Sequence, residues 1–141
     1  MEKIILFADD DYNERKNIPE FLGMKFPDYD IEVFDDGIPL DERLNQGDLE
    51  NVCMVITDNQ MPGMSGLEVI ERHAKRLIEQ NIPMILHYGG DREIGVEAVR
   101  NGAYAYVLKP IKLKEFYRII SDALSEREGV IEEHSWLYKY I

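Results

Sequence analysis

The sequence predicts one α/β domain in which a five-stranded parallel sheet carries helices on both faces. Three observations point there. Short, wholly apolar runs alternate with amphipathic stretches along the chain. Pairs and triplets rich in glycine, proline, asparagine and aspartate punctuate the joints between them. Several apolar runs also stop abruptly at a polar residue, as buried strands do when they reach the edge of a sheet.

The first strand is expected over residues 3–8, where Ile4-Ile5-Leu6-Phe7 is apolar without alternation and so suits burial on both faces. A helical pattern follows over 13–24. Pro19 lies inside it, and a mid-helix proline costs about 3 kcal/mol, so a kink or a late helix start is expected there. A second strand is predicted at 31–34, a solvated turn at Asp35-Asp36-Gly37, and a short helix at 39–45. The third strand, 52–57, contains Met54-Val55-Ile56 and runs into Asp58; Pro62-Gly63 then separates it from a helix at 66–80. The fourth strand, 84–87, is followed by Gly89-Gly90 and a helix at 93–101. After Asn101-Gly102 come a strand at 104–108 and a helix at 113–127. That helix aligns Leu113, Phe116, Tyr117, Ile119, Ile120, Ala123 and Leu124 on one face. Right-handed crossovers leave few ways to connect such units.

A chain of 141 residues has room for a single full core. The formal net charge of −12 argues against nucleic acid or an anionic membrane as a direct partner. Cys53 is the one cysteine and lies in an apolar run, which excludes an internal disulfide and fits a reducing compartment. Met1-Glu2-Lys3 leads straight into the first strand, leaving no signal peptide, and no run approaches the ~18 apolar residues of a membrane span. A cytoplasmic protein is expected. The domain is expected over 1–127, with a tail at 128–141 and no separate effector domain. Trp136, Leu137, Tyr138, Tyr140 and Ile141 make that tail apolar, so it is expected to fold back or to dock on a second copy as a homodimer.

The chemistry lies at the strand ends. Asp9-Asp10 follows the first strand, Asp58 the third and Lys109-Pro110 the fifth, and all reach the carboxyl edge where open parallel sheets bind ligands. Acids converging with a lysine suit a hard divalent cation and a phosphoryl group. Magnesium takes one or two carboxylates, waters and a phosphate oxygen; Asp10 and Asp58 supply the carboxylates, a backbone carbonyl after Asp58 another oxygen, and Asp9 a hold on a bound water. Lys109 supplies a point charge for a phosphoryl oxygen.

These motifs resemble the receiver domain of two-component response regulators. The matching pieces are Ile5-Leu6-Phe7-Ala8-Asp9-Asp10-Asp11, Thr57-Asp58-Asn59-Gln60-Met61-Pro62-Gly63-Met64-Ser65-Gly66, and Gly102-Ala103-Tyr104-Ala105-Tyr106-Val107-Leu108-Lys109-Pro110. Each is modest alone; in this order and spacing they are specific, and the likeness runs from about residue 2 to residue 127. It implies a flavodoxin-like sheet of strand order 2-1-3-4-5. It further implies Asp58 as phosphoacceptor, Asp10, Asp58 and the Gln60 carbonyl as Mg²⁺ ligands, Asp9 acting through water, and Lys109 binding the phosphoryl group before a cis proline. Tyr106 stands where an aromatic ring moves inward on activation. The donor implied is a histidine kinase or histidine phosphotransfer protein, and the output a contact with a downstream protein rather than enzymatic turnover. With no effector domain expected, the likeness is to a stand-alone regulator.

One departure is plain. Receivers usually end the fourth strand in Thr or Ser followed by Ala or Gly, but here Leu86 precedes His87-Tyr88-Gly89-Gly90. Counting back from Lys109 puts His87 at the hydroxyl position; counting forward from Pro83 puts Tyr88 there; Asp91-Arg92-Glu93 favours His87. In the family the small hydroxyl moves to the phosphoryl group and vacates space for the aromatic ring. An imidazole is bulkier, so coupling from Asp58 to Tyr106 through His87 is expected to be altered. His87 is still able to donate a hydrogen bond to the phosphoryl group, more strongly as an imidazolium.

Two alternatives remain open from sequence. A pseudo-receiver would keep the fold and lose phosphate control. A haloacid-dehalogenase-type phosphatase would use Asp9 as nucleophile, although Asn13 stands where that family has Thr or Val and Gly90-Asp91 lacks its second acid. His73, His87 and His134 show no zinc-site spacing, and there is no phosphate-binding glycine motif.

Overall fold

The computed structural model describes residues 2–128. Five strands, β1 (Ile4–Ala8), β2 (Asp30–Phe34), β3 (Val52–Asp58), β4 (Met84–Tyr88) and β5 (Ala105–Leu108), alternate with five helices among the described residues. These are α1 (Tyr12–Lys25), α2 (Gly37–Asn45), α3 (Gly66–Glu79), α4 (Arg92–Arg100) and α5 (Leu113–Glu128). All strand pairs are parallel, in the order β2-β1-β3-β4-β5. The order reverses at β1 and β3, which opens a crevice at their carboxyl ends.

Two cores follow from the alternation of side chains across the sheet. Leu6, Val55, Leu86 and Tyr88 face α2, α3 and α4, packing with Leu40, Leu44, Val69, Ile70, Leu77 and Ala98. Ile5, Phe7, Ile56 and Ile85 face α1 and α5, packing with Ile18, Leu22, Phe116, Ile119 and Ile120. β1, β3 and β4 are buried along their whole length, whereas edge strand β2 is half-exposed.

Most element ends lie within a residue or two of expectation, and two helix starts show why. α1 begins at Tyr12 rather than late, because the Asp11 side chain caps it by accepting from Asn13 N, and Ile18 and Leu22 anchor the helix across Pro19. α2 begins at Gly37 rather than residue 39, because Asp36 accepts from Ile38 N as its N-cap and places Pro39 in the first turn, where a missing N–H costs little. The expected ordering of the tail lies in residues 129–141, outside the described residues. No helix among the described residues is long and apolar enough to cross a membrane.

Candidate phosphoacceptor and metal site

The carboxyl edge gathers the charged residues because each follows a buried strand. Asp58 closes β3 in register with His87 of β4, and Ala8, just before Asp9, pairs with Thr57. Strand alternation puts Asp9, Asp58, His87 and Lys109 on the α1/α5 side, in line with Phe7, Ile56, Ile85 and Val107. Four neighbouring strands thus contribute one residue each to a single row.

Local bonds fix the centre of the row. Asn59 N donates to Asp58 Oδ1 at 2.9 Å, and the buried Thr57 hydroxyl donates to the Asp58 carbonyl at 2.9 Å. Asn59 in turn accepts from Gly66 N and, through Oδ1, from Leu67 N, each at 3.0 Å, so the start of α3 is tied to the residue after the acid. Ser65 and Glu68 close a capping box on that helix. Gly66 has no alternative here: a Cβ would lie 2.2 Å from the Asp58 carbonyl oxygen.

Asp9 is the most enclosed acid, with no exposed surface. Its Oδ1 accepts from Asp11 N at 2.9 Å and its Oδ2 from Lys109 Nζ at 3.2 Å, while Arg15 donates to its carbonyl at 3.0 Å. Lys109 Nζ also lies 3.4 Å from Asp58 Oδ1, bridging the two carboxylates. Asp10 is exposed at the mouth, and Gln60 is exposed in the loop after β3. Asp9, Asp10 and Asp58 each offer an oxygen within 4.8 Å of the others. A hard, all-oxygen set of this kind fits Mg²⁺, with Asp10 at the open side.

Burial, and then the Asp9 charge, push the Asp58 carboxyl up from 3.8 to about 6, against the pull of Lys109 and Asn59 N. A cation would oppose that rise, which is a second sign of fit. Burial works to lower Lys109, but Asp58 and Asp9 outweigh it and hold the ammonium above its usual range. Burial and the Lys109 charge drive His87 down to about 3, against the Ala8 backbone. The imidazole is therefore neutral at neutral pH, not the imidazolium that the acidic surroundings suggest. It stacks on Phe7, centroids 5.4 Å apart, with Nε2 3.5 Å from Asp9 Oδ2.

The two candidates for the hydroxyl position take opposite sides of the sheet. His87 joins the acidic row. Tyr88 and Tyr106 lie on the other face, with ring centroids 6.4 Å apart, and the Tyr106 ring covers Gly95 of α4 so closely that a Cβ there would lie 2.4 Å away. Arg92 Nε donates to the Tyr106 hydroxyl at 3.3 Å. The Tyr88 hydroxyl donates to the Asp91 carbonyl at 2.6 Å and accepts from Gly95 N at 2.8 Å, so it stands inside what would be the first hydrogen bond of α4.

Sequence patterning underrates Asp36. Besides capping α2, its carboxylate accepts from Gly63 N at 2.9 Å and Met64 N at 3.2 Å, clamping the loop that follows Asp58. Burial tends to raise this carboxyl, but the N–H groups of Ile38, Gly63, Met64 and Gly37 prevail and lower it. A run of two acids before a glycine carries no sign of a contact so distant in sequence.

The pattern of the response regulator receiver domain matches residues 5–121, and the chain belongs to that family, the receivers of two-component systems. It is 30% identical over 125 residues to the cyclic di-GMP phosphodiesterase response regulator RpfG of Xanthomonas campestris, covering 88% of this chain but 32% of that protein. The chain thus spans about a third of that relative's length. It is 28% identical to a chemotaxis protein CheY homolog of Campylobacter jejuni, covering 89% of this chain and 95% of that one. A CheY-like receiver domain from Methanospirillum hungatei shares the fold, with a TM-score of 0.77 at 23% identity over 91% of this chain and 98% of its own. Family membership removes the phosphatase alternative, and Asp9 is a poor nucleophile in any case, since both its oxygens are engaged.

Proposed function

We propose that this receiver takes a phosphoryl group onto Asp58 from a phosphohistidine of a histidine kinase or phosphotransfer protein, and signals through protein contacts. The carrying observation is Lys109 Nζ poised between Asp9 Oδ2 and Asp58 Oδ1 beside the three-acid cluster. An Asp58 carboxylate oxygen attacks phosphorus in line, the P–N bond to the donor imidazole breaks, and the donor ring leaves neutral after taking up a proton. With a carboxyl at about 6, Asp58 is mostly ionised at neutral pH and available for attack.

In this reading Asp10 and Asp58, with the Gln60 carbonyl, hold Mg²⁺, while Asp9 orders its water; when bound, the ion neutralises charge on the transferring group. Lys109 swings from its carboxylate pair to a phosphoryl oxygen. Asn59 and Gly66 keep the acceptor still while its charge changes. The protein is thus a phosphoacceptor that promotes its own modification by positioning and charge. The output face comprises α4, β5 and α5. It carries a groove of about 370 Å³ lined by Arg92, Tyr106, Leu108, Lys112 and Arg118 among others, with Leu108 and Leu113 exposed. In that lining the cations outnumber the single acid, Glu115, against the charge of −12 of the chain as a whole, which favours an acidic partner. Buried, unpaired Cys53 supports a reducing, cytoplasmic setting.

On this reading the switch involves both candidates for the hydroxyl position. His87 fills the acidic row, and Tyr88 sits beside Tyr106, so we assign His87 to phosphoryl contact and Tyr88 to limiting how far Tyr106 moves. A phosphorylation-independent binding module is favoured by one observation only, the absent small hydroxyl at His87. Incubation with acetyl phosphate and Mg²⁺ separates the two. Intact mass should show one added phosphoryl group, lost in Asp58→Asn and without Mg²⁺. An unmodified wild type under conditions where Mg²⁺ binds would leave the binding module.

A further inference from the structure

A second group of potential ligands shares Asp9 but differs in chemistry. Asp9, Glu14 of the first turn of α1, and His87 offer one ligand atom each, all within 4.8 Å of one another. Neither His87 ring nitrogen meets full hydrogen-bond geometry, although the residue has no exposed surface; the Ala8 backbone and Asp9 Oδ2 lie near without closing a bond. A buried imidazole left unpaired forfeits hydrogen bonds it would make in water, and native proteins seldom leave such a group without a purpose. Its Nε2 points into the carboxylates, 3.5 Å from Asp9 Oδ2.

We propose that His87 Nε2 and the carboxylates of Asp9 and Glu14 bind a divalent transition-metal ion of the zinc, cobalt or nickel kind. This site lies beside the Mg²⁺ pocket and shares Asp9 with it. Bonds of about 2.1 Å in a tetrahedron place neighbouring ligand atoms about 3.4 Å apart, close to the His87–Asp9 separation. One imidazole and two carboxylates make a three-ligand set with an open fourth position, and nitrogen donors select borderline ions over Mg²⁺. Asp9 and His87 are fully buried while Glu14 is half-buried, so Glu14 is the entry side. Asp11 N, bonded to Asp9 Oδ1, steadies the shared carboxylate.

The site has a regulatory consequence that rests on the phosphoacceptor reading. Lys109 Nζ bonds the same Asp9 Oδ2 that faces His87. A dication there takes that oxygen and repels the ammonium, so it displaces Lys109 and disturbs the neighbouring Mg²⁺ pocket. The receiver would then register transition metal as well as phosphate.

The test uses the whole chain, stripped of metal and titrated with Co²⁺ in excess Mg²⁺, read by visible absorption, with Zn²⁺ as competitor. One equivalent of Co²⁺ should bind with the spectrum of a low-coordinate nitrogen–oxygen site and be displaced by Zn²⁺. In protein labelled with ¹⁵N-histidine, Zn²⁺ should shift the His87 ring nitrogens and leave those of His73 in place. His87→Thr and Glu14→Gln should each weaken Zn²⁺ by roughly tenfold or more. Glu14→Gln should change Mg²⁺ affinity far less than Zn²⁺ affinity. Equal Co²⁺ affinity in wild type, His87→Thr and Glu14→Gln would overturn the proposal, as would no Co²⁺ binding at all. Mg²⁺-dependent phosphorylation of Asp58, measured in parallel, reports separately on the receiver reading.

Discussion

Asp36 Oδ1 accepts a hydrogen bond from Gly63 N at 2.9 Å, joining the turn after β2 to the loop after β3. One side chain therefore caps α2 and holds the loop that carries the proposed Gln60 ligand. Asp36→Ala should cost about 1–2 kcal/mol of stability, the upper part of the range for a lost cap, because two further N–H groups lose their acceptor. Denaturant unfolding measures the loss, and faster amide exchange at Gly63 and Met64 should accompany it. An unchanged midpoint would mean that water replaces the carboxylate without cost.

Asp58 predicts an unusual pH profile in the absence of divalent cations. Its carboxyl is raised in the folded state to about 6 from 3.8, so folding tightens its hold on a proton. The stabilising contribution is full below about pH 4 and is lost as pH rises through about 6, since the folded state binds more protons across that window. A rise of this size corresponds to about 3 kcal/mol as an upper figure, reduced by whatever solvent reaches the open side of the pocket. Asp58→Asn does not titrate, so its stability relative to wild type should rise between pH 4 and pH 6 and level off above. Urea unfolding at several pH values in chelator tests this; a flat difference would sink the assignment.

Mg²⁺ should raise the melting temperature, with about 2.7 kcal/mol gained at a hundred times the dissociation constant. Asp10→Asn should reduce that response, since the exposed Asp10 is the solvent-side carboxylate of the cluster. Scanning fluorimetry with Ca²⁺-free Mg²⁺ is sufficient. Equal Mg²⁺ shifts in the two proteins would place the ion elsewhere.

Gly95→Ala sets two effects against each other. Alanine favours a helix interior by up to about 1 kcal/mol over glycine, but its methyl would lie 2.4 Å from the Tyr106 ring. The ring must move outward, breaking the Arg92–Tyr106 hydrogen bond. The variant should show increased Tyr106 exposure, by chemical labelling or a fluorinated tyrosine, and a smaller response at that probe on phosphorylation. A response equal to wild type would show that Tyr106 does not need the space over α4.

Much of the fold is legible from sequence because burial on both faces leaves an unmistakable imprint. The runs leading to Asp9, Asp58 and Lys109 have to be strands, and their polar ends have to share an edge. What one chain of letters does not carry is the sidedness of its ends. Whether His87 or Tyr88 joins the acidic row depends on the Asp58–His87 register, which is a relation between strands. The Asp36 clamp and the approach of Glu14 to His87 are likewise tertiary; no local pattern distinguishes these acids from ordinary cap and first-turn residues. Pro19 shows the converse: the helix does not start late, because a cap and two buried anchors hold it on either side of the proline.

The Tyr88 hydroxyl, standing between the Asp91 carbonyl and Gly95 N, ties the opening turn of α4 to β4. Ile94 N reaches the Asp91 carbonyl from within the helix at 3.2 Å, but Gly95 N, which in an ordinary helix would bond that same carbonyl, bonds the strand's hydroxyl. The Gly95 amide proton is therefore a natural gauge: its exchange with solvent records how firmly β4 and α4 are seated on each other, even when the rest of the helix is intact. Tyr88→Phe would remove the intermediary while keeping the ring, leaving Gly95 N to reach the Asp91 carbonyl directly and cutting the polar tie between strand and helix.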